Sequence, residues 1–408
     1  MTDPVAADAA DPLRRFRDRF VLPEGVIYLD GNSLGCLPKA TADRVADVIS
    51  REWGEGLIGS WNTAGWVDAS QRIGDKIARL IGANPGEVVA CDSTSVNVFK
   101  ALCAAVSVNP GRSRIVSERG NFPTDVYMMQ GLEALTGRAI VSDLVEPDEV
   151  EEALGDDVAA VLLTQTNYRT GRVRDMAATT AMIHAKGALA IWDLSHSAGA
   201  FPVDLTAAGA DFAVGCGYKY LNGGPGAPGY IFAAERHHAA MRPALSGWFG
   251  HVRPFDFEDA YAPAPGATRF LVGTPPILGL AALEVGVDLM LEADMAEVRA
   301  KSVALVALFA ERMAPLCERF GFALASPAEP NERGSQISYA HPDAYPIVQA
   351  LIARGVVGDF RAPNILRFGL TPLYTSFTEV ASAVAIIEAV MGERSWDRPE
   401  YRVRAAVT

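Results

Sequence analysis

The segment ALAIWDLSHSAGA, residues 188–200, holds the pattern that decides the fold: a short apolar run that stops at an aspartate, Asp193. Similar apolar runs lie on either side of it, VAAVLL at 158–163 and DFAVGC at 211–216. Residues 175–186, between the first two runs, have a helical pattern. Short, continuous apolar strands that alternate with helices indicate a mostly parallel sheet whose two faces are both covered.

The alternation continues outward from this segment. EVVAC (87–91) and RIVSE (114–118) are strand-like, and each precedes a helix-compatible stretch, STSVNVFKALCAAV and FPTDVYMMQGLEAL. GYIFAA (229–234) adds a further strand. We therefore predict an α/β fold with a mixed, mostly parallel sheet.

The rest of the chain predicts a second unit. Residues 66–83 carry apolar side chains at helical spacing, and the Ala/Leu/Val-rich stretch from about 275 to 314 reads as helices that link two domains. We expect a large domain formed by residues 50–275. A smaller α+β domain would be formed by both chain ends, 1–49 and 276–408.

The bulk composition excludes several classes of protein. With 408 residues the chain is long enough for two or three domains. Its net charge of -13 disfavours a nucleic-acid partner. It has no apolar run long enough to span a membrane, and residues 1–20 do not resemble a secretory signal. The five cysteines are odd in number and lack metal-ligand spacing, so we expect a cytoplasmic protein without a metal.

Segments that contain polar side chains lie at the ends of four of the predicted strands. They are Ser93–Ser95, Phe122–Asp125, Thr164 and Asp193. Ligands of α/β sheets bind at the carboxyl ends of the strands. We therefore expect these four segments to form one site.

The segment GYKYLNGGPG (217–226) adds a lysine to this site. Lys219 lies between two tyrosines and is followed by glycines. A pyridoxal phosphate enzyme needs such a lysine to form a Schiff base, and an aspartate such as Asp193 to keep the pyridinium nitrogen protonated. The alternatives are an ordinary loop lysine and a helix-capping aspartate. Together the two residues favour pyridoxal 5'-phosphate as the cofactor.

Other candidates have both a functional and a structural interpretation. Ser93–Ser95 lie at a helix start, where they would bind phosphate or cap the helix. Phe122–Asp125 would contact a cofactor ring or form a hydrophobic staple that includes Pro123. His196 would contact the ring or be a core histidine. Arg367, within NILRFGLTPLY, would bind an amino-acid carboxylate or form an internal ion pair.

Seven motifs together resemble the kynureninase family. They are YLDGNSLG, SWNTAGW, NFPTD, IWDLSHSAGA, GYKYLNGGPG, SGWFGH and LRFGLTPLY, and the resemblance covers residues 20–405. It implies a fold-type I pyridoxal phosphate hydrolase that cleaves the Cβ–Cγ bond of L-kynurenine, and of 3-hydroxykynurenine. The products would be L-alanine and anthranilate or 3-hydroxyanthranilate, in tryptophan catabolism through the kynurenine pathway and in NAD biosynthesis.

The resemblance also implies a role for each matching position. The catalytic residues would be Lys219, which carries the cofactor, Asp193 and the proton-transfer residue Tyr218. The cofactor-binding residues would be Thr94, Ser95, Phe122, Pro123, Thr124, Asp125, Thr164, Asp193, His196, Tyr218 and Lys219, with Trp248 and Thr274 supplied by the partner subunit of a homodimer. The substrate-binding residues would be Arg367, for the carboxylate, and Ser33 and Trp61, for the aromatic end.

Two rival functions stay open at this point. A class V aminotransferase or a cysteine desulfurase would use the same scaffold, but Cys216 lies inside a predicted buried strand and does not suit a mobile catalytic thiol. A cofactor-binding DNA regulator would need a basic segment before this domain. Residues 1–25 are too short for one, and the net charge opposes it.

Overall fold

The computed structural model describes residues 3–405. Its helices are α1 (Pro4–Ala10), α2 (Arg14–Arg17), α3 (Lys39–Asp47), α4 (Ser60–Thr63), α5 (Ala69–Leu80), α6 (Thr94–Val108), α7 (Pro123–Leu135), α8 (Met176–Ala185), α9 (Ile277–Leu291), α10 (Met295–Phe320), α11 (Ala344–Ala353) and α12 (Phe377–Gly392). Its strands are β1 (Ile27–Tyr28), β2 (Val88–Cys91), β3 (Arg114–Glu118), β4 (Val141–Val145), β5 (Val158–Thr164), β6 (Leu189–Asp193), β7 (Phe212–Gly215), β8 (Gly229–Ala233), β9 (Ala323–Leu324), β10 (Gln336–Ala340), β11 (Val356–Val357), β12 (Asp359–Arg361) and β13 (Ile365–Gly369).

The central sheet has seven strands in the order β2-β8-β7-β6-β5-β3-β4. Strand β8 runs antiparallel to both of its neighbours. All other neighbouring pairs are parallel. The predicted α/β fold with a mostly parallel sheet is confirmed, and the carboxyl ends of β2, β3, β5, β6 and β7 meet at one edge.

Both faces of this sheet are buried, which explains why the strands read as continuous apolar runs. In β6, Ala190 and Trp192 pack in the cluster that includes α5 and α9. Ile191, between them, packs in the opposite cluster with α6 and α7. Helix α5 lies so close to the sheet that a Cβ on Gly74 would be 2.3 Å from the carbonyl oxygen of Val88.

A second, smaller α+β unit packs beside the large sheet. Strands β12-β13-β10-β9 form an antiparallel sheet, and β1 pairs in parallel with β11. Side chains of α10, α11 and α12, among them Phe309, Ile347 and Val380, form a separate core with Phe368 of β13. Strand β1, near the start of the chain, therefore pairs with a strand of the last third of the chain.

The exact domain limits stay a prediction. Helix α9 packs against α3 and α5, while α10 contributes Val298 to the core below the large sheet and Leu305 to the core of the small unit. The predicted limits include residues 1–2 and 406–408, which lie outside the described residues. Within residues 3–405, no helix is both long and apolar enough to cross a membrane.

Candidate active site

Lys219 lies in the turn that follows β7, on the wall of a small cavity. Its Nζ is 3.0 Å from Nε2 of His196 and 5.8 Å from the ring centre of Phe122. The turn is anchored from the other end of the chain, because Gly35 N donates to the carbonyl oxygen of Tyr218 at 2.8 Å. A Cβ on Gly35 would lie 2.3 Å from the carbonyl oxygen of Lys219, so this contact requires glycine.

Asp193 ends β6 and is buried beside Lys219 in the cavity wall. Its Oδ1 accepts a hydrogen bond from the backbone N–H of Ser195 at 2.7 Å. Burial raises the pKa of this carboxyl, which is the cost expected when a carboxylate leaves water. A positively charged ring nitrogen in the cavity would offset that cost.

Asp125 lies deeper, behind Thr164. Its Oδ2 accepts a hydrogen bond from Oγ1 of Thr164 at 3.4 Å, and the same hydroxyl also donates to Oδ1 of Asn121. Its Oδ1 is buried and has no hydrogen-bond partner among residues 3–405. Burial and the nearby charge of Asp193 raise the pKa of Asp125 well above its usual value.

Two helix N-termini also contribute to the cavity wall. Ser93 caps α6, its Oγ accepting from Val96 N at 3.4 Å. Oγ of Ser95, in the first turn of α6, lies 2.6 Å from Oγ1 of Thr124, in the first turn of α7. Oγ1 of Thr94 is buried and has no partner in the described chain. Free N–H groups and hydroxyls at two helix starts make a good phosphate site.

These features join in one cavity of about 120 Å³. It is lined by Ser93, Thr94, Ser95, Phe122, Thr124, Thr164, Tyr168, Asp193, Ser195, His196, Tyr218 and Lys219. Three of its surrounding polar atoms, on Thr94, Asp125 and His196, are buried and lack a partner among the residues described. The residues present therefore fit pyridoxal phosphate, since an amine, a carboxylate and the hydroxyls of two helix N-termini line the same cavity.

Most of the predicted cofactor residues line this cavity, but Pro123, Asp125, Trp248 and Thr274 do not. Pro123 begins α7, and Asp125 contacts the cavity through Thr164. Sequence reasoning missed Asn121, Tyr168 and Ser195. Asn121 and Ser195 had a signal, since they lie within the NFPTD and IWDLSHSAGA motifs, whereas Tyr168 follows a strand without a distinctive pattern.

Arg367 lies on β13 and is almost fully buried, 1% exposed. The two predicted roles of this arginine are to bind an amino-acid carboxylate and to form an internal ion pair. The structure contains an ion pair, with Asp359. Its Nη1 donates to the carbonyl oxygen of Tyr168 and its Nη2 to Oγ of Ser33, both at 2.7 Å. Ser33 in turn lines an open cavity of about 510 Å³ that shares Tyr218 with the first cavity.

The other predicted residues lie outside the small cavity in a single chain. Trp61 packs against Trp66 and Phe249, with ring centres 5.7 and 6.0 Å apart. Trp248 packs against the same Phe249 at 4.8 Å and is 41% exposed. Thr274 is also exposed. Their roles in a site shared between subunits stay predictions.

Cys216 is buried at the end of β7, and its Sγ lies 3.7 Å from the carbonyl oxygen of Ser195. Burial raises the pKa of this thiol. A buried, protonated thiol on a sheet strand does not suit the nucleophile of a desulfurase.

Comparison with known proteins gives three findings. Residues 298–387 match the family model described as "Kynureninase C-terminal domain". The chain is 50% identical to the kynureninase of Pseudomonas fluorescens, covering 100% of this chain and 99% of that protein, and 49% identical to that of Burkholderia pseudomallei (strain 1106a), covering 99% and 98%. The apo structure of a cysteine desulfurase from Thermococcus onnurineus NA1 has the same fold, with a TM-score of 0.76 at 18% identity over 96% of this chain and 99% of that one.

Proposed function

Because this chain belongs to the kynureninase family, we propose that the cavity between Lys219 and Asp193 is where it hydrolyses the Cβ–Cγ bond of L-kynurenine to anthranilate and L-alanine. The cofactor is pyridoxal 5'-phosphate. The observation that carries the proposal is the convergence of an amine, a carboxylate and two helix N-termini on one cavity. The proposal extends to 3-hydroxykynurenine as a second substrate, and to a place in tryptophan catabolism and NAD biosynthesis.

Lys219 and Asp193 have complementary roles. When bound, the cofactor supplies an aldehyde that condenses with amines and a protonated ring that accepts electron density from the α-carbon of the substrate. Lys219 would hold this aldehyde through its Nζ and, when that amine is free, would be the base that removes the α-proton of the substrate. Asp193, oriented by the N–H of Ser195, would pair with the ring nitrogen and keep it protonated.

The phosphate end and the ring face are formed by other elements. Thr94 and Ser95, with the first N–H groups of α6, would bind the phosphate. Phe122 would contact the cofactor ring, and Asp125, held by Thr164, would interact with the polar edge of that ring. His196 occupies the side of the cavity next to Lys219.

Tyr218 is the proton-transfer residue in this proposal. Its phenol is protonated at neutral pH, and burial raises its pKa further above the usual value, so it keeps its proton until a stronger base, such as a carbanion of the substrate, forms beside it. Tyr218 lines both the small cavity and the open one. It therefore lies between the cofactor and the region from which a substrate enters.

Arg367 binds the substrate carboxylate, while Ser33 and Trp61 lie toward the aromatic end. Ser33 accepts a hydrogen bond from Arg367. Ser33 therefore also lies close to the place where we propose that the substrate carboxylate binds. Trp61 belongs to an aromatic cluster with Phe249 and Trp248.

A homodimer with shared sites completes the proposal. Trp248 and Thr274 are exposed in the single chain, and the open cavity beside Tyr218 leaves space for side chains of a second copy. Large apolar side chains are also exposed in the segment after α3, among them Trp53, Leu57 and Ile58. Such a surface is typical of a subunit interface. We place the dimer in the cytoplasm.

The direct test supplies the purified holoenzyme with L-kynurenine and measures anthranilate by fluorescence and L-alanine by amino-acid analysis. Equal amounts of both products, formed without a keto acid, are expected, and none from the Lys219→Ala variant. Turnover that requires a keto acid and yields no anthranilate would instead identify a transaminase. The desulfurase alternative is not favoured, because Cys216 is buried.

A further inference from the structure

Strand β12 presents two charged residues, Asp359 and Arg361, on one face of the small sheet. They are two positions apart, so their side chains point to the same side. In the antiparallel register with β13, Asp359 lies opposite Arg367. The pairing therefore brings one carboxylate and two guanidinium groups together, which is the arrangement expected of cross-strand neighbours.

The two arginines converge on the same pair of oxygen atoms. Nη2 of Arg361 lies 2.7 Å from Oδ2 of Asp359, and Nη2 of Arg367 contacts the same oxygen. Oγ of Ser33 accepts from both, at 3.3 Å from Arg361 and 2.7 Å from Arg367. The two positive charges thus share the buried carboxylate of Asp359, and Oδ1 of Asp30 lies 4.0 Å from Nη2 of Arg367.

The two guanidinium groups differ in how many of their N–H groups have a hydrogen-bond partner. Arg367 donates to Tyr168, Ser33 and Asp359, and its Nε lies 3.0 Å from the amide oxygen of Asn32 when that amide is oriented to satisfy its neighbours. An arginine has five N–H donors and these contacts use four of them, so Arg367 keeps one N–H of Nη1 for a ligand.

Arg361 is the less satisfied of the two. Its Nε is buried and has no hydrogen-bond partner within residues 3–405, although the side chain as a whole is 36% exposed. A buried N–H of a charged group without a partner is costly. An incoming anion would remove that cost.

Both arginines lie near the cofactor cavity, since Arg367 donates to the carbonyl oxygen of Tyr168, a residue of the cavity wall, and both arginines contact Ser33. Burial and the charge of Lys219 lower the pKa of His196, and the charges of Arg367 and Arg361 lower it further. Ser33, which both arginines contact, lines the open cavity together with Tyr218. Arg361 therefore lies where the carboxylate of an amino acid would arrive.

We propose that Arg361 is a second carboxylate-binding residue, whose free Nε–H and guanidinium charge bind the α-carboxylate of the amino acid beside Arg367. Asp359 and Ser33 hold the two guanidinium groups side by side. The inference rests on the proposed function, since an amino-acid substrate is what brings the carboxylate to this place.

The test compares the binding of L-alanine and L-alaninamide to the holoenzyme, followed by the visible absorbance of the cofactor. The two ligands share the amine and the methyl group, and only L-alanine has the carboxylate. The variants are Arg361→Gln and, as the matched control, Arg354→Gln, an arginine of the same small unit that is 35% exposed and paired with Glu393.

Arg361→Gln is expected to weaken L-alanine binding about tenfold or more, the range of a charge-assisted hydrogen bond, and to leave L-alaninamide binding unchanged. Arg354→Gln is expected to change neither. An effect on L-alanine below about twofold would overturn the proposal, and so would an equal loss for both ligands, because the latter would mean that Arg361 acts only through Asp359.

A second variant covers the case in which Arg361→Gln does not fold. Arg361→Lys keeps the charge but lacks the Nε–H, so a severalfold loss for L-alanine alone is expected, and unchanged L-alanine binding would overturn the proposal. Failure of the proposed function is detected separately. A wild-type holoenzyme that forms no anthranilate from kynurenine would refute that function, whereas the comparison of the two ligands needs no turnover.

Discussion

Nζ of Lys219 and Nε2 of His196 lie 3.0 Å apart in the wall of the cavity. Burial and the charge of Lys219 lower the pKa of His196 well below its usual value, so the imidazole is neutral near pH 7. It then accepts a hydrogen bond from the lysine amine through Nε2. The reactive amine is therefore held in place by an uncharged partner.

Replacing Tyr218 tests the proton path. Tyr218→Phe should keep the bound cofactor but lose most of the turnover, by about a hundredfold, because a positioned general acid contributes at least that much. Cofactor absorbance and anthranilate release measure the two properties. Tyr220→Phe, in the same turn, loses only a 3.4 Å hydrogen bond to Ser335 and is the control. Unchanged turnover in Tyr218→Phe would remove this residue from the proton path.

Lys100 lies close to the start of α6, where we propose that the phosphate binds. This buried lysine contacts the carboxylate of Asp92 and donates to the carbonyl oxygen of Phe270 at 2.6 Å. Asp92, which has a positive φ of 45°, directly precedes the cap of α6. Lys100→Met would leave the Asp92 carboxylate unpaired beside the phosphate. It should therefore weaken cofactor binding and lower the free energy of unfolding by about 2 kcal/mol or more.

The matched control for this change is Lys76→Met, which removes a partly exposed lysine paired with Glu284 and Asp288. Lys76→Met should lower the free energy of unfolding by less than about 1 kcal/mol and should leave the cofactor affinity unaltered. Urea unfolding of the cofactor-free protein and a cofactor titration measure both quantities. Equal costs for the two variants, with equal cofactor affinity, would contradict a supporting role for Lys100.

Asp30 should make the stability depend on pH. Burial and the charge of Asp359 raise its pKa to about 7. Between about pH 4 and 7 the unfolded chain loses this proton while the folded protein keeps it, so stability falls as the pH rises through that window. The free energy of unfolding of Asp30→Asn, relative to that of the wild type, should therefore rise by about 2–4 kcal/mol from pH 4 to pH 8. Asp259→Asn, on an exposed loop, is the control, and a constant difference across this range would refute the raised pKa of Asp30.

Mixing two inactive variants tests the shared site. If Trp248 acts in the partner's site, a mixed dimer of Lys219→Ala and Trp248→Ala chains contains one intact site. After the subunits exchange, about a quarter of wild-type activity should return, since half of the dimers are mixed and each has one active site of two. Mixed dimers that form but stay inactive would argue against shared sites. Full activity of Trp248→Ala alone would argue the same.

Local patterns were enough to predict the sheet and several residues that line the candidate cavity. Asp193 and Lys219 could be found because each follows an apolar strand, and Ser93 because it precedes a helical pattern. These are properties of a few adjacent residues. The strand ends then converge because parallel strands share one edge.

The ion cluster at the small sheet could not be predicted in the same way. Asp359 meets Arg367 through the register of β12 and β13, and Ser33 joins them from a segment more than 300 residues away. No short pattern encodes such contacts. Lys100 did have a signal, a lysine in the middle of an otherwise apolar helix, but its partners Asp92 and Phe270 depend on the folded structure.

Borohydride reduction of the holoenzyme, followed by peptide mass spectrometry, identifies the amine that holds the cofactor. We expect a protein with visible colour whose reduction fixes one cofactor on the peptide that contains Lys219, and no such label in Lys219→Ala. A colourless protein that takes up no cofactor, or a label at another lysine with Lys219 unmodified, would contradict it.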